Sequence, residues 1–257
     1  MKDCRLFVLL RISKPEYNKT LSAEYKLYMN PLNMFHEQGL TEGQQDINEG
    51  LLSNRPFYLM CNEEPLVKGN KLYKWSNVYI YCMYGIVYDS EKYDSKNNKY
   101  FHTIPWECIK TFWQGEGTEM MIIKNTSDFI KKFEDAALIQ QEAYAYGKVE
   151  YDLEEKAKDN SYFLNAVNDP LEFVFHKYRD KYEIQSEIRF AVISNEKLNH
   201  LELNFDKGFP LFIDFVRLEY GKNICLEFSN LEFDEETMMP VRFSSKINVV
   251  SNWNIGN

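Results

Sequence analysis

Gln185, Glu187 and Arg189 fall at alternate positions in the stretch from Lys181 to Ile193, at the head of a strongly β-forming apolar run. Alternate residues of a strand share a face. The spacing therefore predicts an amide, a carboxylate and a guanidinium projecting together, with Ile184, Ile188, Phe190 and Val192 on the other side. A carboxylate held in such a comb can do electrostatic chemistry, because a fixed anion beside a centre that gains positive charge favours the transition state over the ground state. The same comb is what a half-buried strand presents when Glu183 and Glu187 simply pair with Lys181 and Arg189 and no ligand is involved. Residue types and spacing leave both readings open.

Other chemistries have less to stand on. No Gly-x-x-x-x-Gly-Lys, no Gly-x-Gly-x-x-Gly after a strand and no Gly-x-Ser-x-Gly occurs, which argues against P-loop, dinucleotide-fold and α/β-hydrolase functions. His36, His102, His176 and His200 show no zinc spacing, so no metal is expected; His102 and Cys108 come nearest to a composite site. Asp46 and Glu49 share a helical face but lack further oxygen ligands nearby, and read as a solvated surface. The aromatic crowd at Tyr73, Trp75, Tyr79, Tyr81 and Tyr84 lacks interleaved Lys or Arg, so it reads as core rather than a base-stacking platform, with Tyr79 and Tyr81 on one strand face and Val78 and Ile80 on the other.

Elements must position these groups, and the composition allows a full core: 257 residues, 44% hydrophobic and 16% aromatic. Cys4 to Ile12, Tyr25 to Met29, Asn77 to Tyr88 and Glu187 to Ser194 read as strands of one sheet, with Asn30-Pro31 ending the second. Further strands are expected at Glu119 to Lys124, Lys148 to Tyr151, Leu201 to Phe205, Leu211 to Leu218, Ile224 to Phe228 and Ile247 to Val250. Asp89 to Lys99 reads as a polar, exposed and mobile loop. Helices are expected at Thr41 to Leu52, from Asp169-Pro170 to about Tyr178, and, most clearly, from a cap at Asn125 through Phe129 to about Tyr144. Glu154 to Asn160 reads as a polar connector. Strands without regular helical crossovers predict α+β, with a mixed or mainly antiparallel sheet and a few packed helices, in a single domain over residues 1–257.

The net charge of −9 repels phosphate backbones and anionic membranes, which argues against general nucleic-acid or membrane binding and leaves a protein or small-molecule partner. Five scattered cysteines without a Cys-x-x-Cys pair suit a reducing cytoplasm. The apolar stretch Leu6 to Leu10, cut by Arg11, is short for a secretory signal, and no segment approaches the roughly 18 apolar residues of a spanning helix. A cytoplasmic location is expected. The heavy use of Asn, Lys, Tyr and Ile matches an A+T-rich genome, such as that of a low-GC bacterium or its phage.

Two resemblances bear on function. Tyr182-x-x-Gln185-Ser186-Glu187 ahead of an apolar strand resembles the Gln-x-Glu region of ADP-ribosyltransferases, including DNA-modifying toxins of the DarT type, over about a dozen residues. It implies an NAD cofactor, Glu187 as the carboxylate on the nicotinamide ribose and beside the developing cation, Gln185 on the acceptor side, and Arg5 or Arg11 as the arginine touching NAD. The early His-x-Thr of that group and a Ser-Thr-Ser strand are both missing here. More broadly, the order Leu27-Tyr28-Met29-Asn30-Pro31-Leu32, Asp46-x-x-Glu49-Gly50, Val78 to Met83, Phe129-Ile130 and Tyr182 to Arg189 resembles an uncharacterised bacterial and phage domain family, some of whose relatives are associated with abortive infection. That resemblance supplies no agreed activity; with the charge and the missing catalytic motifs it leads to the expectation of a protein of host–phage conflict that binds and inhibits or regulates a protein or small-molecule partner, with NAD as cofactor only if the transferase reading holds.

Overall fold

The computed structural model describes residues 6–36, 51–53, 57–61, 64–69, 72–73, 77–156, 170–177, 183–196, 198–207 and 211–250. The expected helix from Thr41 falls outside them apart from Leu51 and Leu52, which lie in a short strand; Arg5, Asp46 and Glu49 are also outside. The strands in chain order are β1 (Leu6–Ser13), β2 (Lys26–Pro31), β3 (Leu51–Ser53), β4 (Phe57–Cys61), β5 (Glu64–Gly69), β6 (Leu72–Tyr73), β7 (Val78–Val87), β8 (Tyr93–Asp94), β9 (Lys99–Ile104), β10 (Glu119–Ile123), β11 (Ala143–Lys148), β12 (Glu187–Ile193), β13 (Leu201–Asn204), β14 (Ile213–Arg217), β15 (Asn223–Phe233) and β16 (Pro240–Val250). The helices are α1 (Pro15–Ser22), α2 (Trp106–Ile109), α3 (Thr126–Ile139), α4 (Leu153–Lys156) and α5 (Pro170–Phe173).

An eight-stranded sheet runs β11-β12-β7-β1-β10-β14, with β2 joining β7 and β13 joining β2, and every pairing is antiparallel. The fold is α+β. β1, β7 and β12 are central, and the continuous apolar runs of β1 and β12 follow from burial on both faces. On one face α3 lays Phe129, Phe133, Ala136 and Ala137 against Leu9, Tyr81, Met83, Met121 and Phe190. Phe190 meets the rings of Phe129 and Phe133 edge-on, each at 5.0 Å. On the other face a four-stranded sheet, β16-β15-β9-β8, packs Tyr100, Ile104, Ile224, Leu226 and Phe228 against Phe7, Val8, Leu10 and Ile12. Tyr79 and Tyr81 share the α3 face while Val78 and Ile80 take the other, as alternation predicts.

Several boundaries differ from the sequence reading. α3 stops at Ile139 instead of running to Tyr144: Gln141 turns left-handed (φ 57°), the Glu142 N–H returns to the Ala137 carbonyl, and Ala143–Lys148 is taken by the open edge of β12. Asn125 stands at the helix start without capping it, its carboxamide bonding the Asp128 carboxylate and the Phe212 N–H instead. α5 ends at Phe173, and the strand expected at Lys148 to Tyr151 is the tail of β11 followed by a single parallel bridge from Glu150 to His176. Residues 89–99 are mostly exposed but hold a 3-10 turn and the two residues of β8. β2 includes Asn30 and Pro31, which pair with Tyr79 and Ile80 of β7 before a 3-10 turn follows.

Candidate functional site

One edge of β7 pairs along its length with β12, from Val78 to Tyr84. Its other edge is divided. β1 pairs with it from Val87 back to Tyr84, and β2 pairs only at Ile80 and Tyr79. β1 and β2 therefore part like a fork beside Tyr81, Cys82 and Met83, and a cleft of about 110 Å³ opens there. Leu10 to Ser13 of β1, Tyr28 and Asn30 of β2, and Ile80 to Tyr84 of β7 line it, together with Phe35, Phe112, Lys177, Gln185, Glu187 and Arg189.

Glu187 and Arg189 project together into this cleft from β12, as their spacing requires, next to Cys82 and Tyr84 of β7. Gln185 reaches it by another route. It ends a 3-10 turn (Glu183–Gln185), and Ser186 breaks the comb with a left-handed backbone (φ 42°). That turn is locked to β7, because the Gly85 N–H donates to the Ser186 carbonyl at 2.9 Å and the Ser186 hydroxyl donates to the Gly85 carbonyl at 2.8 Å. The Gln185 amide then points to Thr111, 3.4 Å from its hydroxyl. Ile184, expected on the side opposite the comb with Ile188, Phe190 and Val192, precedes the strand and is half exposed, while those three are buried against α3.

The charges at the site are tightly arranged. Arg189, 1% exposed, donates Nε–H to Glu187 Oε1 at 2.6 Å and Nη1–H to the Val174 carbonyl at 2.6 Å. The Lys177 ammonium lies 3.5 Å from Glu187 Oε2, an ion-pair distance, and that oxygen is fully buried with no hydrogen bond among the described residues. Burial by itself pushes the Glu187 carboxyl up. The charges of Arg189 and then Lys177, with hydrogen bonds from Arg189 and Cys82, overcome it and hold the carboxyl down at about 2. Glu187 is thus an anion throughout the physiological range, in a cleft that also carries three cations, Arg11, Lys177 and Arg189.

Arg11 joins the cleft from the α3 face of the sheet, where its guanidinium bonds the Tyr81 hydroxyl and lies 4.3 Å from the centre of that ring. Burial raises the pKa of the Tyr81 hydroxyl although Arg11 opposes the shift, so the phenol stays protonated. On the face of β7 opposite Tyr81, the Tyr84 hydroxyl and His102 Nε2 share a hydrogen bond of 2.9 Å. Burial, with Lys92 adding to it, lowers the His102 ring to about 4, and burial pushes the Cys108 thiol up to about 12, so both are neutral near pH 7. A neutral imidazole with a protonated thiol offers no nucleophile pair.

Lys177, Cys82 and Thr111 carry no site signal in the sequence, and Tyr84, which reads there as core, lines the cleft. The signal that could have found Cys82 is its alternation with Tyr84, since both sit on the face of β7 opposite Tyr81. Lys177 was hidden in a mixed run of charges, and the side chains of Lys181 and Glu183 lie outside the described residues. Away from the cleft, ligand atoms of Glu150, Asp152 and His176 lie within 4.8 Å of one another. His176 Nδ1 is 2.6 Å from Asp152 Oδ1, and the Lys156 ammonium already sits 2.8 Å from His176 Nε2. Among the described residues no helix is long and apolar enough to cross a membrane. No family model, no curated protein and no solved structure matches the chain.

Proposed function

We propose that this protein binds a small molecule in the cleft at the β1/β2 fork and that Glu187 is the group that recognises it. One observation carries the reading: Glu187 Oε2 is ionised and buried and, among the described residues, meets the Lys177 ammonium at 3.5 Å without accepting a hydrogen bond, in a concave site walled by aromatic rings and cations. A buried acceptor left unmade costs about 1–3 kcal/mol, more when charged, and a ligand N–H or O–H placed there recovers that cost. The role is binding, with regulation or inhibition of a partner in host–phage conflict as its setting. Thermal unfolding in the presence of fractionated bacterial metabolites tests it. A fraction should raise the midpoint of the wild type and leave Glu187→Gln unmoved, because only a ligand of the folded state stabilises it. If no fraction separates the two proteins, the reading fails.

NAD-dependent ADP-ribosyl transfer is the second reading, favoured by the meeting of Gln185, Glu187 and Arg11 around one cleft. It has less support because Glu187 Oε1 is already committed to Arg189. The cavity of about 110 Å³ also lies below the range in which drug-sized ligands fit, let alone a dinucleotide. Nicotinamide release from NAD, with Glu187→Gln as control, decides it.

A further inference from the structure

The ligand's chemistry can be narrowed by what each wall of the cleft accepts, an inference that rests on the small-molecule reading above. Glu187 Oε2 is the acceptor, its side chain more than nine-tenths buried. The donor that approaches it must be neutral, because Arg189 and Lys177 already balance the carboxylate and the Lys177 ammonium stands 3.5 Å from the same oxygen. A second ammonium there would meet net repulsion. Lys177 and Arg189 face Glu187, while Arg11 meets the neutral Tyr81 phenol and no carboxylate among the described residues, so that end of the cleft favours an anion. Phe35, Phe112 and Tyr28 give flat apolar surface, and about 110 Å³ takes one ring rather than a nucleotide.

We infer that the cleft binds a planar, single-ring monoanion carrying a neutral hydrogen-bond donor, the donor on Glu187 Oε2, the ring between the aromatic walls, and the anionic group toward Arg11. The hydroxybenzoates and orotate have this chemistry. Benzoate has the anion without the donor, phenol and nicotinamide the donor without the anion, and inorganic phosphate both without the ring.

Calorimetry and thermal shift on the full chain test the inference with these compounds. At least one hydroxybenzoate isomer or orotate should bind at least about tenfold more tightly than benzoate, phenol, nicotinamide and phosphate. Glu187→Gln should remove the preference for the hydroxy acid over benzoate. Because that variant removes the anion facing Arg189 and Lys177 and is at risk of not folding, Arg11→Gln serves as the second: it should weaken the acid about tenfold while phenol binding stays the same. Equal affinity for benzoate and hydroxybenzoate, or phosphate binding as well as either, overturns the inference. If none of these acids binds yet another metabolite stabilises the wild type and not Glu187→Gln, the small-molecule reading stands and this ligand class falls. Tight binding of nicotinamide and NAD instead overturns the inference in favour of the transferase reading.

Discussion

Arg11 and Glu187 project from opposite faces of the same sheet and nevertheless line one cleft, because β1 and β2 part along the edge of β7 and leave the sheet open beside Cys82. In an unbroken sheet the two side chains would be separated by a layer of backbone. The turn ahead of β12 and the buried ion pair of β12 border that opening, and both can be probed.

Arg189 is the largest fully buried side chain among the described residues, so the carboxylate of Glu187, 2.6 Å from its Nε, should matter greatly to stability. Glu187→Ala is expected to destabilise the fold by about 3–5 kcal/mol, since it takes the compensating anion from the buried Arg189 guanidinium. Replacing both, as Glu187→Leu with Arg189→Met, should cost clearly less than the single change. Denaturant midpoints for the three proteins measure this; an additive double variant would show that the pair is not coupled.

Two groups set the response to acid. His102 has a folded pKa of about 4 against an ordinary 6.5, so the unfolded chain takes up its proton first and stability present above pH 6.5 is lost as the pH falls toward 4. Glu187 has a folded pKa of about 2 against 4.5, so its contribution is complete above pH 4.5 and is lost as the pH falls through 2. The midpoint measured from pH 8 to 2 should decline in two stages, and His102→Gln should flatten the upper one alone.

Gly85 faces Ile188 where β7 passes β12, and an added Cβ would stand 2.3 Å from Ile188 Cγ1 and 2.9 Å from Leu6 Cδ1. Gly85→Ala should therefore cost about 1–3 kcal/mol by overpacking, and Ile188→Ala, which removes both the Cγ1 and the Cδ1 atom, should cost less in the Gly85→Ala chain than in the wild type. Because Ser186 and Glu187 adjoin that contact, ligand affinity should fall with Gly85→Ala as well. Paired unfolding and binding measurements will tell whether the two losses travel together.

Phe133 is wholly buried between Phe190 and Tyr144. Phe133→Ala should cost about 3–5 kcal/mol, the usual loss for a core aromatic, and lower the thermal midpoint by several degrees. A change under 1 kcal/mol would mean that α3 does not hold the sheet in solution.

Random duplex DNA should bind weakly, and the binding should vanish with salt, because the chain's net charge of −9 opposes phosphate. Gel shift and fluorescence anisotropy at physiological ionic strength check this, and tight binding to unrelated duplexes there would contradict it.

Local pattern by itself determined the strands at Leu6–Ser13, Val78–Val87 and Glu187–Ile193, the faces taken by Tyr79 and Tyr81, and the apolar stripe that seats α3 on the sheet. It also put Glu187 and Arg189 on one side of their strand, since period two is a property of the chain alone. Only the tertiary structure decided where α3 stops, because the free edge of β12 competes for residues 143–148 once the sheet exists. Gln185 reached the cleft by a 3-10 turn and a left-handed Ser186 held by Gly85, contacts between residues a hundred positions apart that no spacing encodes. Likewise Lys177 came to Glu187, and Arg11 to the same cleft, through the choice of which strand pairs with which part of β7, and such long-range pairing leaves no periodic trace in sequence.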